Sequence, residues 1–399
     1  MKKRILFVED NPLLLEMYAM VMDSERDKWE VVTMGDARQA LATLDQCAFD
    51  VIVSDMRMPG MDGIEFLGEV RRRLPGCSRI IISGLSDQAE VVRSLNSTHQ
   101  FLAKPVDVKM LRDTLARISG LDAFLQEQKL RALVGQVGAL PSFPSLYLEV
   151  MQAMRTEEPS IETVGNIIAK DPAMTAKMLQ LVNSVASGLA RKVGSPVEAV
   201  QFLGINTVRS LVLSTHIFAC FEHATLKGLS ISQLWKHAMR TGLLARTIMQ
   251  LEQAGETEAE DANVAGVLHD MGKLMLAESL PEQFQQALAL VAERGLSSEQ
   301  AELEVFGATH AGVAAYLLGL WGLPAAIVEA VAFHHIPSRS PTHAFGLLAA
   351  VHTANSLEHE LSREPVADLA AGLDADYLRS IGVQDRLPAW RREAAKLVL

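Results

Sequence analysis

Cysteine is scarce. The chain has 399 residues and three cysteines, Cys47, Cys77 and Cys220. An odd, sparse set at no metal-ligand spacing excludes a disulfide framework and fits reduced cytosolic thiols. Long apolar runs are also missing. The basic opening "MKKRILFVED" holds an apolar run too short for a signal peptide. No uninterrupted stretch approaches a membrane span. The expected location is cytoplasmic, with no membrane partner. Aromatic residues make up 5%, while Ala, Leu and Val abound, which favours helix. Positive charge is in deficit: 37 Lys and Arg stand against 48 Asp and Glu, a net charge of −11. That argues against nucleic acid as a partner. No basic recognition helix is evident, and the small cluster Arg71, Arg72, Arg73 reads as solvated. What is present is an ordinary globular composition, 49% hydrophobic and 21% charged, in a chain long enough for two or three domains.

The first 120 residues alternate in pattern. "RILFV", "EVVTM", "DVIVS", "RIIIS" and "FLA" read as strands, each followed by a helical period. This predicts an α/β doubly wound, five-stranded parallel sheet with helices on both faces. Ligands in such sheets bind beyond the C-terminal strand ends. Glu9 and Asp10 follow the first strand, Asp55 the third, Ser83 the fourth, and Lys104 with Pro105 the fifth. One polar residue there would reflect an exposed loop; this set forms a pattern. Three converging carboxylates repel unless a hard cation joins them, and Mg²⁺ fits. A carboxylate can attack phosphorus to give an acyl phosphate, whose oxygens Ser83 and Lys104 could hold.

"VEDNP", "SDMRMPGMDG", "ISG" and "KP" together resemble a response-regulator receiver domain of the CheY-like, flavodoxin-like kind. The resemblance implies that Asp55 is the phosphoacceptor. It implies that Glu9, Asp10 and Asp55 hold Mg²⁺ with the backbone carbonyl of Arg57. Ser83 and Lys104 would bind the phosphoryl group, and Phe101 would be the aromatic switch. The implied partner is a histidine kinase or phosphotransfer protein.

The expected domains are a receiver over 1–120, a helical connector over 121–137, a helical domain over 138–360 and a helical C-terminal extension over 361–399. A continuous helical period covers 107–137, weakened at Gly120, and Pro141 and Pro144 end it. The connector reads equally as a passive linker or as a lever, and a homodimer through it or the receiver's last helices is a further expectation. Beyond it the chain looks almost entirely helical. Asp171-Pro172, Ser195-Pro196 and Asn206 look like helix starts, and the acidic stretch 252–261 like a solvated loop or helix end.

"VLHDMGKLML" puts His269 and Asp270 side by side in an apolar run, where a buried charged pair is costly unless compensated. His237, His310, His334 and His335 also lie in apolar helical segments. One such histidine reads as a satisfied core residue. Five with an aspartate could hold Fe, Mn, Zn or Ni. Lys273, three residues after Asp270, reads either as a contact for a substrate phosphate or as a solvent-reaching helix residue.

"LPSFPS", "SPVEAVQFLG", "LWKHAMRTGLLA", "LHDMGKL" and "HAGVAAYLLGLWGLPAAIVEAVAFHH" resemble the HDOD family, the output branch of the HD phosphohydrolase superfamily. His237, His269 and Asp270 fit the first three metal ligands of catalytic HD proteins. Asn355 aligns with the fourth, where an aspartate is expected. His310, His334 and His335 resemble the added histidines of the related HD-GYP phosphodiesterases, yet the Gly-Tyr-Pro signature is missing. The resemblance implies a regulatory module acting through protein–protein interaction. The alternative is a phosphorylation-gated metal phosphohydrolase on a nucleotide or cyclic dinucleotide.

Overall fold

A computed structural model describes residues 2–84 except 24, 98–125, 160–170, 195–205, 228–321, 323–362 and 372–398, with scattered positions between them. The fourth receiver helix, residues 126–129 of the connector, the helix starts at Asp171 and Asn206, and Cys220 lie outside the described residues. The chain divides into two compact units, 1–142 with 306–324, and 143–305 with 325–399.

In the first unit, β1 (Lys3–Val8), β2 (Trp29–Met34), β3 (Val51–Asp55), β4 (Ser78–Gly84) and β5 (Gln100–Lys104) form one sheet in the order β2-β1-β3-β4-β5. All its ladders are parallel. Every residue of β3 is buried, as a strand covered on both faces must be. Leu6, Val8, Ile52 and Ile81 face α2 (Ala37–Leu44) and α3 (Gly63–Arg73). Phe7 points the other way and stacks on Tyr18 of α1 (Pro12–Asp23) at 5.1 Å. Asp36 and Asp62 cap α2 and α3 by accepting from Gln39 and Glu65 backbone N–H groups. Helix α4 (Val108–Leu125) runs unbroken through Gly120, so the expected weakness there does not appear. A helix from far along the chain, His310–Leu320, packs on α4 and belongs to this unit.

The second unit is helical. Its described helices include α5 (Ile161–Ala169), α6 (Pro196–Leu203), α7 (Ile231–Leu251), α8 (Glu256–Leu268), α9 (Met271–Ser279), α10 (Pro281–Arg294) and α11 (Ser298–Val305). Taking His310–Leu320 as α12, there follow α13 (Ala325–Phe333), α14 (Leu347–Leu361), α15 (Ala375–Ser380) and α16 (Leu387–Val398). Ser195 caps α6, with Pro196 at its first turn, as its sequence predicts. The acidic stretch 252–261 is not simply solvated. It opens α8, and Glu260 is buried against Arg246 at 2.7 Å.

Helices α7, α8, α13 and α14 pack on one another and carry the candidate site. The closest approach is between α7 and α8. A Cβ on Gly266 would meet the Gly242 Cα at 2.7 Å and its N at 2.9 Å, all backbone that cannot swing aside. Gly266→Ala therefore forces the two helices apart. It is expected to lower stability by about 1–3 kcal/mol, the range for overpacking a close contact. Urea unfolding checks this, and an unchanged midpoint would contradict it.

Candidate functional sites

At the C-terminal edge of the sheet, β1 delivers Glu9, β3 delivers Asp55 and β5 delivers Lys104. The Lys104 ammonium sits 2.7 Å from Asp55 Oδ1 and 3.1 Å from Glu9 Oε2. One carboxylate oxygen from each of Glu9, Asp10 and Asp55 falls within a single 4.8 Å cluster. Glu9 and Asp55 are buried and Asp10 is exposed, so the pocket opens on the Asp10 side. Burial and the Asp55 charge push Glu9 above the usual carboxylate range, against the pull of Lys104. Burial works against the Lys104 charge, but Asp55 and Glu9 together outweigh it and raise its pKa. Three oxygens with residual repulsion are a donor set that fits Mg²⁺. Ser83 is buried on β4 beside the pocket strand, paired in register with Ala103. Phe101 lies on β5 opposite Ile81; its side chain is outside the described residues. Arg57 is exposed in the loop after β3, and the Lys104–Pro105 peptide is cis.

In the second unit, His237 projects from α7, His269 ends α8, Asp270 starts α9 and His334 follows α13. All four are buried. His269 and His334 use the same local device. Each stands just past a helix end, where the last carbonyls lack intrahelical donors. The His269 Nδ1–H donates to Gly266 O at 2.6 Å, and the His334 Nδ1–H donates to Val331 O at 2.8 Å. His237 lies within its helix and needs a distant acceptor. Its Nδ1–H donates to Glu358 of α14 at 2.5 Å. In each ring the partner at Nδ1 assigns the tautomer and turns Nε2 inward.

The inward atoms converge on Asp270. Its Oδ2 lies 3.8 Å from His237 Nε2 and 3.5 Å from His269 Nε2, and its Oδ1 lies 3.7 Å from His334 Nε2. His237 Nε2 and His269 Nε2 are 3.2 Å apart. With Nδ1–H committed in both rings, these two atoms present lone pairs to each other, and a cation or proton must relieve them. Ligands about 2.1 Å from one ion lie roughly 3.0–3.4 Å apart; the His237–His269 pair has this spacing and the Asp270 contacts of 3.5–3.8 Å are slightly wider, a set whose donor chemistry fits a first-row transition metal after a small closure. Burial lowers the His269 pKa to about 4, which keeps it a neutral donor.

Of the two readings of Lys273, the structure contradicts the solvent-reaching one. It is buried, and its ammonium contacts Asp270 Oδ2 at 2.8 Å. His335 is buried with its ring 4.0 Å from that of His334. His310 is buried at the start of α12, where the Thr309 hydroxyl caps the helix; it belongs to the first unit. Asn355 is buried on α14, and its carboxamide oxygen accepts no hydrogen bond among the described residues. Sequence reasoning missed Glu358, one turn beyond Asn355. Burial works against its charge, but His237, His359 and Arg240 outweigh this and lower its pKa. It also missed His352, whose Nδ1–H donates to His334 O at 2.7 Å. The only signal for either was a charged or imidazole side chain within "VHTANSLEHE", a pattern shared with many exposed helices.

The response-regulator receiver family model matches residues 5–116, and the HDOD domain model matches residues 140–337. The chain carries a response-regulator receiver domain followed by an HDOD domain. An uncharacterized protein of Treponema pallidum is 26% identical over 58% of this chain and 44% of its own length. The hydrogenase transcriptional regulatory protein HoxA of Cupriavidus necator is 35% identical over 28% of this chain and 23% of its own. The chain thus spans less than half the length of these curated relatives. An HDOD domain protein of Geobacter sulfurreducens shares the fold, with a TM-score of 0.54, 24% identity, and coverage of 70% of this chain and 99% of that one. No single described helix is long and apolar enough to cross a membrane.

The depressed His269 pKa gives a signed pH prediction. Its ordinary value is 6.5 and its folded value about 4. As pH falls, the unfolded chain takes up this proton first. Stability that is full above about 6.5 is then lost progressively toward 4, by about 3 kcal/mol in all. His269→Asn keeps a donor for Gly266 O and removes the titration. Its melting temperature should fall less steeply across that window; parallel pH profiles for both proteins would refute the assignment.

Proposed function

We propose that phosphorylation of Asp55 switches the HDOD domain, which acts non-enzymatically by binding another protein in signal transduction. The carrying observation is the Lys104 ammonium held between Asp55 and Glu9 at the open end of the sheet. Glu9, Asp10 and Asp55, with the Arg57 carbonyl, would hold Mg²⁺, which shields the carboxylates and the incoming phosphoryl oxygens from one another. Asp55 Oδ2 attacks phosphorus in line, and the donor's leaving group departs. Lys104 then shifts its hydrogen bond to a phosphoryl oxygen, and Ser83 donates to another. The added charge redraws the contacts around Ser83 and Phe101, on the neighbouring strands β4 and β5, the second of which leads into α4. The phosphoryl source is a histidine kinase or phosphotransfer protein, and a homodimer is one form the output could take.

A second reading is a metal-dependent phosphohydrolase, favoured by the convergence of three Nε2 atoms on Asp270. His237, His269, Asp270 and His334 would hold the ion; His310, counted with the first unit, is left out of this set. An ion there would activate water and polarise a phosphoryl oxygen. The neutral Asn355 and the Lys273 ammonium on Asp270 rank this reading second.

Incubation with acetyl phosphate and Mg²⁺ should give one acid-stable, base-labile phosphoryl group per chain, and none in Asp55→Asn or without Mg²⁺. Lys104→Ala should slow labelling at least tenfold. Labelling that persists in Asp55→Asn would move the acceptor elsewhere and sink the proposal.

A further inference from the structure

We infer that Lys273 is the resident cation of the histidine cage, held on Asp270 in the place a divalent metal would take. The inference rests on reading His237, His269, Asp270 and His334 as a cation site. It adds that the chain supplies the cation itself.

Three observations carry it. The first is the contested atom. Lys273 Nζ lies 2.8 Å from Asp270 Oδ2, the same oxygen that faces both His237 Nε2 and His269 Nε2. An ion shared by those two rings and that oxygen would stand against the ammonium, and like charges this close in a buried site repel strongly. The second is that the pair is built into the backbone. Asp270 is the N-cap of α9 and Lys273 lies three residues on, so one helical turn brings the side chains together. The third is enclosure. Residues 262–277 are buried without a break, and the Lys273 side chain keeps only 8% of its exposure. A lysine is rarely enclosed this far unless paired, and here its ammonium donates to Asp270.

The chemical consequence is a cage closed without metal. Lys273 neutralises Asp270, and the rings keep their orientation through Glu358, Gly266 and Val331. A metal can enter only by displacing the ammonium.

The test uses the full chain and Lys273→Met, which keeps the apolar stem and removes the charge. Each is stripped with chelator, titrated with Mn²⁺ and with Zn²⁺, and melted with and without the ion. Wild type should hold less than about 0.1 ion per chain as purified without chelator, and its melting temperature should not respond to chelator. Lys273→Met should bind one ion per chain at least tenfold more tightly, melt lower when stripped and recover when loaded. If Lys273→Met does not fold, Asp270→Asn/Lys273→Met removes both charges and should melt no lower than Asp270→Asn alone; a double variant that melts clearly below Asp270→Asn would overturn the proposal. Equal affinity in wild type and Lys273→Met, or a stoichiometric ion in wild type as purified, overturns it while leaving the metal-site reading intact. No binding by either chain overturns both.

Discussion

A carboxylate taken out of water must be given a cation, and each unit of this chain is arranged around one such demand. Asp55 is met by Lys104 at 2.7 Å and Asp270 by Lys273 at 2.8 Å. The two solutions differ in access. Lys104 keeps 30% of its side-chain exposure and Lys273 keeps 8%. The first pair lies where parallel strands end and loops diverge, which leaves a crevice open to solvent. The second lies at a break between two buried helices, where all sides are protein. An open pair lets its cation turn from the carboxylate to an incoming anion. A closed pair holds a structure in place.

The cage depends on how each imidazole is turned. Two of its three rings are set by local rules. A histidine just past a helix end finds an unused carbonyl three residues back, and satisfying it both caps the helix and points Nε2 away from it. The carbonyl ends of α8 and α13 also carry partial negative charge, which favours a cation among the rings. The third ring is set by tertiary structure, since Glu358 must be brought from α14 to reach His237. Arg240 lies 3.4 Å from the other Glu358 oxygen, so that carboxylate is itself compensated. The orientation of the cage is therefore independent of what fills it.

This difference explains what could be read in the sequence. The strand ends of the receiver were legible because period-2 and period-3.6 patterns place Glu9, Asp55, Ser83 and Lys104 at one sheet edge without any knowledge of packing. His237, His269 and Asp270 were legible as polar residues in apolar helices. Lys273 was not, because helical spacing alone does not tell a lysine that reaches solvent from one that turns onto Asp270. Glu358 and His352 were not, because their partners lie 121 and 18 residues away and only the packing of α14 joins them. The placement of α12 with the first unit has no local signature, since it is a contact between segments about 190 residues apart.

The C-terminal segment follows from the same reasoning. The resemblance in sequence fades near residue 360, yet residues 372–398 are not an appendage. The backbone N–H of Asp374 donates to His352 Nε2 at 2.9 Å, and His352 Nδ1–H donates to the carbonyl of His334. A single imidazole, kept neutral by burial, thus bridges the C-terminal segment and the peptide that carries a cage ring. Trp390 of α16 is fully buried and donates to Glu252 at 3.0 Å, fixing that segment to the end of α7, the helix that carries His237. Two cage histidines are therefore tied to it, one through a hydrogen-bonded imidazole and one through packing on their helix. Neither tie uses a residue that faces Asp270.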